Sequence, residues 1–141
     1  MQFEYKIMGG DFANAGFASS EVKKVLKQIN IDPKIIKRIV VALYEAEVNV
    51  CAHAFAGKVT VTVTPEEIDI TVSDKGPGIP NIEQAMVEGY STASPAVREM
   101  GFGAGMGLPN IKRNTDQLNL ESTVGKGTTL NFINYLSKTT E

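Results

Sequence analysis

One stretch decides the centre of the fold, residues 58–78, which read KVTVTVTPEEIDITVSDKGPG. Apolar and polar residues alternate through 58–64 and again through 67–73, and Pro65-Glu66 separates the two runs. Alternation with a period of two favours half-buried β-strands, and two such runs with a short break between them are typical of an antiparallel hairpin. The second run ends at Asp74, where glycine and proline take over. We therefore expect Asp74 at the end of a central strand.

Helices are predicted on both sides of this hairpin. Asp32-Pro33 offers a capping residue and a first-turn proline to a long helix that runs to about Ala54. Before it, we expect an edge or swapped strand over 2–8 and a helix from Asp11 to about Asn30. After the hairpin, the pattern predicts a short helix over 81–88, a lid over about 89–104, a helix over about 106–117, and strands near 118–123 and 128–136. This order predicts an α+β domain.

Length and composition bound the class of protein. The 141 residues suit one domain, and no apolar run approaches the roughly 20 residues of a membrane-spanning helix. Residues 1–8 do not resemble a signal peptide, so we expect a single cytoplasmic domain over 1–141 with no membrane partner. A formal charge of -2 gives no basic surface for nucleic acid. With Cys51 and His53 as the only residues of their types, an intramolecular disulfide and a structural zinc site are excluded.

Three polar residues of the long helix lie four positions apart: Glu45, Asn49 and His53. This spacing places them on one stripe, beside the apolar arc of the helix. The Asn49 amide offers a neutral oxygen to Mg²⁺, which takes further ligands from water and phosphates, and Glu45 can orient or deprotonate an attacking hydroxyl. A solvated helical face has the same spacing. The stripe therefore indicates phosphoryl transfer only in combination with other motifs.

The loop after the central strand reads Asp74-Lys75-Gly76-Pro77-Gly78-Ile79-Pro80. An aspartate at a strand end can accept a hydrogen bond from the exocyclic amine of adenine, and glycines let the backbone approach a flat base. An ordinary loop has the same glycine and proline content, and the position at the strand end is what favours base binding. Asp74, Gly76, Gly78 and Ile79 are our candidate adenine-binding residues.

A second glycine run, Gly101-Phe102-Gly103-Ala104-Gly105-Met106-Gly107-Leu108, precedes a predicted helix. Free N–H groups at a helix start suit phosphate, so the candidate phosphate-binding residues are Gly103, Gly105, Met106, Gly107 and Leu108. No strand precedes the run, which excludes a dinucleotide fingerprint. Gly125-Lys126 does not complete a P-loop, because Gly127 stands where serine or threonine should follow the lysine. Arg98 adds a positive charge within the lid that can reach a phosphate.

These motifs, with Gly125-x-Gly127-Thr128-Thr129 near the end, together resemble the GHKL superfamily, which includes gyrase B, the large heat-shock chaperone, MutL and the sensor histidine kinases. The resemblance covers residues 30–135. Within the superfamily, the short chain and its ending look most like the bacterial anti-sigma-factor serine/threonine kinases. The resemblance implies the Bergerat fold, a two-layer α/β sandwich whose mixed, mostly antiparallel sheet is covered on one face by helices. It also implies ATP and Mg²⁺ as ligands.

The resemblance implies a role for individual residues. It makes Glu45 the general base, Asn49 the Mg²⁺ ligand and Asp74 the adenine contact, and it places Thr129 at the adenine end as a supporting residue. Glu47 stands where the family usually has an uncharged residue. Because Glu47 lies nearer the apolar arc of the helix than Glu45, we expect it to need a partner and not to serve as the base.

The implied function is that of an ATP-binding regulatory kinase that phosphorylates a serine or threonine of a protein partner. The partner is expected to be a regulatory protein of the anti-anti-sigma type, and a sigma factor as a further partner stays open. A homodimer is also open, since the first strand can pair with another subunit or inside its own sheet. Two other functions stay open: a non-catalytic switch in which ATP alters a partner surface, and the catalytic half of a split histidine kinase.

Overall fold

The computed structural model describes residues 1–79, 82, 86 and 107–136. The chain begins with strand β1 (Gln2–Met8), a 3-10 turn (Phe12–Asn14) and two helices, α1 (Phe17–Gln28) and α2 (Pro33–His53). The hairpin strands β2 (Ala56–Val63) and β3 (Glu67–Lys75) follow. The last described part holds helix α3 (Gly107–Arg113) and strands β4 (Gln117–Thr123) and β5 (Gly127–Tyr135).

The strands form one sheet in the order β1-β2-β3-β5-β4, and each neighbouring pair is antiparallel. The predicted hairpin and the edge position of the first strand are confirmed, with Val59 opposite Val72 and Tyr5 opposite Val59. Helix α2 packs on one face of the sheet, between α1 and α3. The described residues therefore confirm the predicted sandwich, with one helical layer on an antiparallel sheet.

The core lies between these two layers because the strands alternate. Apolar residues of the inner sheet face are buried against the helices, while the outer face carries polar residues such as Thr71 and Asn131, which share a hydrogen bond of 3.0 Å. Burial of apolar surface of this kind is the main stabilising term of a small domain. The largest fully buried apolar side chains are Leu26, Ile39, Leu43, Ile68, Ile70, Ile111 and Phe132. No helix in the described part of the chain is long and apolar enough to span a bilayer.

Two helix ends differ from the prediction. Helix α1 begins at Phe17 rather than Asp11, because Gly16 adopts a left-handed φ of 98° and separates it from the 3-10 turn. The Asp11 carboxylate instead accepts hydrogen bonds from the Asn14 side chain, at 2.9 and 3.1 Å. Helix α3 ends at Arg113, because the chain enters the sheet soon afterwards. The predicted helix over 81–88 and the lid over 89–104 lie outside the described residues, apart from positions 82 and 86.

The start of α1 is capped from a distance by Glu47, which is 2% exposed. One carboxylate oxygen accepts hydrogen bonds from the backbone N–H groups of Gly16 (3.2 Å) and Ala18 (3.0 Å). The other accepts from Ser19 N–H (2.8 Å). A helix start has unpaired N–H groups and a partial positive charge, so a buried carboxylate is stabilised there. The expectation that Glu47 needs a partner is confirmed, and the partner is the end of a helix.

Replacing Glu47 by alanine should lower the free energy of unfolding by about 3 kcal/mol or more, because buried N–H donors lose their charged acceptor. Urea unfolding followed by circular dichroism measures the change. Glu66→Ala, in the exposed turn between β2 and β3, is the matched control and should stay within about 0.5 kcal/mol of wild type. A loss at position 47 no larger than that of the control would show that this cap does not hold α1 in place.

Candidate functional site

Asp74 lies at the end of β3 on the inner face of the sheet, half-buried and close to β5. One of its carboxylate oxygens accepts a hydrogen bond of 3.0 Å from the backbone N–H of Thr128. The strands approach so closely that a Cβ on Gly127 would lie 2.1 Å from the Asp74 carbonyl oxygen. The second carboxylate oxygen has no hydrogen-bond partner among the described residues. A strand-end carboxylate is thus fixed in orientation, with one oxygen available to a ligand.

The electrostatics of this end couple Asp74 to His53, the last residue of α2. Burial raises the pKa of Asp74 above its ordinary value, and the Thr128 hydrogen bond and the charge of His53 oppose that rise. Burial lowers the pKa of His53, and the Asp74 carboxylate opposes that fall. Each charge therefore favours the other across the end of the sheet. The polar stripe predicted on α2 reaches the predicted adenine-binding residue at this point.

Acidification should destabilise the fold through His53. Its native pKa is lowered, so the unfolded chain takes up a proton first as the pH falls through about 6.5, the ordinary pKa of histidine. The free energy of unfolding therefore decreases as the pH decreases through this range. His53→Gln should make this dependence on pH weaker. Urea unfolding at a series of pH values measures this. The raised pKa of Asp74 has the opposite effect on stability at lower pH. Identical plots of unfolding free energy against pH for wild type and His53→Gln would contradict the assignment of the effect to His53.

The structure separates the two adjacent threonines of β5. Thr128 lies on the inner face, where its hydroxyl is 2.9 Å from that of Ser122 and its N–H reaches Asp74. Thr129 lies on the opposite face, exposed, with its hydroxyl 3.5 Å from that of Ser73. The family resemblance implied that Thr129 is the residue that supports the adenine end of the site. The residue that contacts Asp74 in the structure is Thr128, because successive side chains of a strand point to opposite faces.

The loop from Gly76 to Ile79 is fastened to the turn between β4 and β5. Gly76 N–H donates to the Lys126 carbonyl (3.1 Å), and Ile79 N–H donates to the Ser122 hydroxyl (2.7 Å). Gly78 has a left-handed φ of 79°, and a Cβ there would lie 2.5 Å from the Thr123 carbonyl oxygen. Glycine is therefore required at position 78 for packing as well as for conformation. The loop forms one wall beside Asp74.

Glu45 and Asn49 meet Gly107 at the other end of the stripe. A Cβ on Gly107 would lie 3.4 Å from the Asn49 side-chain oxygen and 3.7 Å from one Glu45 carboxylate oxygen. The other Glu45 oxygen accepts a hydrogen bond of 3.2 Å from the Asn110 amide. The structure thus brings together the predicted base, the predicted metal ligand and the end of the second glycine run. The contact of Asn110 with Glu45 was not anticipated from the sequence, although Asn110 lies about one helical turn after Gly107.

Gly107→Ala should leave the fold intact and weaken ATP binding about tenfold or more, which corresponds to ~1.4 kcal/mol. The added methyl group would make ordinary contacts with Asn49 and Glu45, and it would fill the space between α2 and α3 that a phosphate would enter. Isothermal titration with ATP measures the change. Lys112→Ala, an exposed position on the same helix, is the control. Unchanged affinity would remove Gly107 from the nucleotide site.

Other predicted residues fall outside this cluster. Arg98, Gly103, Gly105 and Met106 lie outside the described residues. The side chain of Leu108 is 7% exposed and belongs to the core, so any contact with phosphate would come from its backbone. Cys51 is buried, and this burial, followed by the charges of Glu47 and Asp11, raises the pKa of its thiol. A buried thiol with a raised pKa is a poor nucleophile.

The site offers few protein ligands to a metal ion. No cluster of three or more His, Cys, Asp or Glu side chains suited to a metal occurs within the described ranges. The Asn49 amide, half-buried beside Gly107, makes no hydrogen bond to any described residue. A single neutral oxygen of this kind fits Mg²⁺, which prefers oxygen ligands and retains water and phosphate oxygens.

The described residues combine an antiparallel sheet under helices with a strand-end aspartate and a Glu-x-x-x-Asn stripe, an arrangement that defines a class of nucleotide-binding domain. Residues 11–133 match the profile of the histidine kinase-like ATPase domain, and the chain belongs to this family. A mycobacterial sensor histidine kinase, MprB, has a similar fold, with a TM-score of 0.55 over 96% of this chain and 97% of that chain. At 15% identity this likeness concerns the fold alone.

Curated relatives are similar along most of the chain. The serine/threonine-protein kinase RsbT of Bacillus subtilis is 30% identical over 118 residues, which cover 81% of this chain and 83% of the relative. The anti-sigma F factor of Caldanaerobacter subterraneus subsp. tengcongensis is 31% identical over 130 residues, which cover 89% and 87%. The resemblance stated from the motifs is confirmed by these matches.

Proposed function

We propose that this protein is an Mg²⁺-dependent protein serine/threonine kinase that transfers the terminal phosphate of ATP to a regulatory protein. The observation that supports it most is the polar stripe of α2, which joins Asp74 at one end to Glu45, Asn49 and Gly107 at the other. Glu45 and His53 are eight residues apart, so the stripe extends over about 12 Å of helix. A ligand with a base at one end and phosphates at the other suits such a site.

Individual residues take distinct roles in this proposal. Asp74 accepts a hydrogen bond from the adenine amine through its free oxygen, and Thr128 holds the carboxylate in place. Gly76, Gly78 and Ile79 form the wall beside the base. When bound at Asn49, Mg²⁺ would neutralise charge on the phosphates. The backbone around Gly103, Gly105, Met106, Gly107 and Leu108, with Arg98, is proposed to contact the phosphates.

Glu45 is the proposed general base. The partner's hydroxyl oxygen attacks the terminal phosphorus, its proton passes to the Glu45 carboxylate, and the bond to the bridging oxygen breaks to release ADP. The hydrogen bond from Asn110 holds one Glu45 oxygen and leaves the other facing Gly107. Positioning of this kind contributes much of the rate in phosphoryl transfer. Glu47 cannot take this role, because its two oxygens cap α1.

The names of the relatives support a regulatory partner. One relative is called a serine/threonine-protein kinase and another an anti-sigma F factor. We propose that the partner is a regulatory protein of the anti-anti-sigma type, with a sigma factor as a second candidate. A single cytoplasmic domain and a homodimer through β1 belong to the same proposal.

The test is capture of partners from the source lysate with and without Mg-ATP, followed by mapping of phosphorylated residues. The proposal predicts a partner that gains a phosphate on serine or threonine with the wild type and fails to gain it with Glu45→Ala. ATP-dependent capture without phosphate would favour the non-catalytic switch. Acid-labile phosphate on a histidine of the partner would identify a split histidine kinase instead.

A further inference from the structure

A groove lies between the end of α1 and the start of α2, on a part of the molecule that the nucleotide site does not use. It encloses about 620 Å³, and its lining includes Lys23 and Lys27 from α1 and Ile36, Lys37 and Val40 from α2. Lys37 precedes Asn49 by 12 residues, a distance of about 18 Å along the helix. The lining includes none of the residues proposed to bind ATP, and its last residue, Val41, precedes Glu45 by four positions on α2. We call it the α1–α2 groove.

The α1–α2 groove carries a concentration of positive charge in an acidic protein. Residues 21–38 contain six lysines and arginines against two acidic residues, a net of +4, whereas the whole chain has a formal charge of -2. Two of the six positive side chains are paired with carboxylates. Lys24 pairs with Glu21 at 3.3 Å, and Arg38 pairs with Asp116 at 3.2 Å.

The lysines at the rim of the groove differ from these two. Within the described residues, no ion pair engages Lys23, Lys27 or Lys37. Asp32 is the acidic residue of the described lining, and its carboxylate accepts a hydrogen bond of 2.9 Å from Lys34 N–H as the cap of α2. The rim of the groove is therefore positive, and it is not neutralised by the described part of the chain.

The floor of the groove is apolar, and the turn beside it is hydrogen-bonded. Ile36 is 4% exposed, and Ile31 and Val40 are half-buried against the core. The turn between the helices is held by Ile31 N–H to the Leu26 carbonyl and Asn30 N–H to the Lys27 carbonyl, both at 3.1 Å, with Asn30 at a left-handed φ of 61°. This is the hydrogen-bond pattern of a Schellman helix end. A preformed groove binds a ligand with less loss of conformational freedom.

We propose that the α1–α2 groove docks an acidic amphipathic segment of a protein partner, with apolar side chains on its floor and carboxylates at Lys23, Lys27 and Lys37. A phosphodiester backbone would meet the lysines and leave the apolar floor without contacts. An anionic membrane would meet the rim and could not reach a concave floor. A peptide supplies both kinds of contact, which is the general pattern of helix-in-groove recognition. The docking does not depend on the proposed kinase activity.

The experiment uses the full chain without nucleotide and a fluorescein-labelled helical peptide with leucines at i and i+4 spacing, flanked by glutamates. Fluorescence anisotropy gives the affinity, and amide chemical shifts give the location. The double variant Lys27→Glu/Lys37→Glu should bind this peptide about tenfold or more weakly than wild type does. The same variant should bind a version of the peptide that carries lysines in place of the glutamates. Lys6→Glu/Lys112→Glu, exposed lysines outside the groove, is the matched control and should stay within about twofold of wild type.

A floor variant separates docking from charge attraction alone. Val40→Asn keeps the lysines and should weaken binding of the peptide. Circular dichroism checks that the variant is folded. Asp74→Asn should bind the peptide as wild type does, so failure of the nucleotide site would not affect this result. The proposal is overturned if the control variant weakens peptide binding as much as the groove variant does, or if the chemical-shift changes lie outside residues 23–41. It is also overturned if Val40→Asn leaves the peptide affinity unchanged, or if duplex DNA or phosphatidylglycerol vesicles bind there as tightly as the peptide.

Discussion

Replacing Glu45 by glutamine is expected to slow phosphoryl transfer to the partner by about 10²–10⁴-fold, the usual contribution of a general base. Glutamine keeps the length of the side chain and can accept the hydrogen bond from Asn110, but it cannot take the hydroxyl proton. The affinity for ATP should change by about threefold or less, because the lost interaction belongs to the reacting state. Single-turnover transfer at saturating ATP, with titration calorimetry alongside, measures both quantities.

The control for this prediction is Glu66→Gln, an exposed carboxylate in the β2–β3 turn that should leave the transfer rate unchanged. Asn110→Ala should lower the rate less than Glu45→Gln does, since it frees the carboxylate to rotate without removing it. Transfer by Glu45→Gln at the wild-type rate would show that Glu45 is not the base. An equal loss of ATP affinity and rate would instead make it a binding residue.

Replacing Asp74 by asparagine is expected to weaken ATP binding by about 10- to 100-fold, the range of ~1.5–3 kcal/mol for a hydrogen bond to a charged group. The carbonyl of the introduced amide can still accept the bond from Thr128 N–H, which directs the amide nitrogen at the ligand. A donor would then face the adenine amine, itself a donor. Equilibrium binding of ATP and adenosine measures the loss, which should be similar for both because the contact is at the base.

Stability provides an internal check on the Asp74 variant. Burial is the largest cause of the raised pKa of Asp74, which means that the site disfavours the charged form. A neutral asparagine should therefore leave the free energy of unfolding equal to or above that of wild type at neutral pH. Thr129→Ala, on the outer face beside Ser73, is the matched control for ATP affinity. Wild-type affinity in Asp74→Asn, or a larger loss in Thr129→Ala, would contradict the placement of adenine.

Features with a local cause were predictable from the sequence. Alternation located the hairpin, and Asp32-Pro33 located the start of α2, where the Asp32 carboxylate accepts from Lys34 N–H as expected for a cap. The stripe of Glu45, Asn49 and His53 follows from helical periodicity alone. Each of these inferences needs only neighbours along the chain.

Features that depend on packing between elements were not predictable. The start of α1 was placed too early because Asp11 is a good capping residue in isolation, whereas the cap of α1 comes from Glu47, 31 residues beyond Gly16. Thr128 and Thr129 could not be separated without the register of β5, since a shift of one residue exchanges the faces of a strand. The contact of Asn110 with Glu45 requires α3 to pack on α2, which no local pattern encodes.

The most direct test of the central claim is the intact mass of the purified partner after incubation with Mg-ATP and wild type, Glu45→Gln or Asp74→Asn. Transfer by this site predicts one added, acid-stable phosphate on a serine or threonine with wild type. With Glu45→Gln, the same phosphate should appear at least about 10²-fold more slowly. With Asp74→Asn, it should appear near the wild-type rate once ATP is raised to saturation. An unchanged mass with wild type, under conditions where ATP and partner are both bound, would contradict the claim that this protein is a kinase.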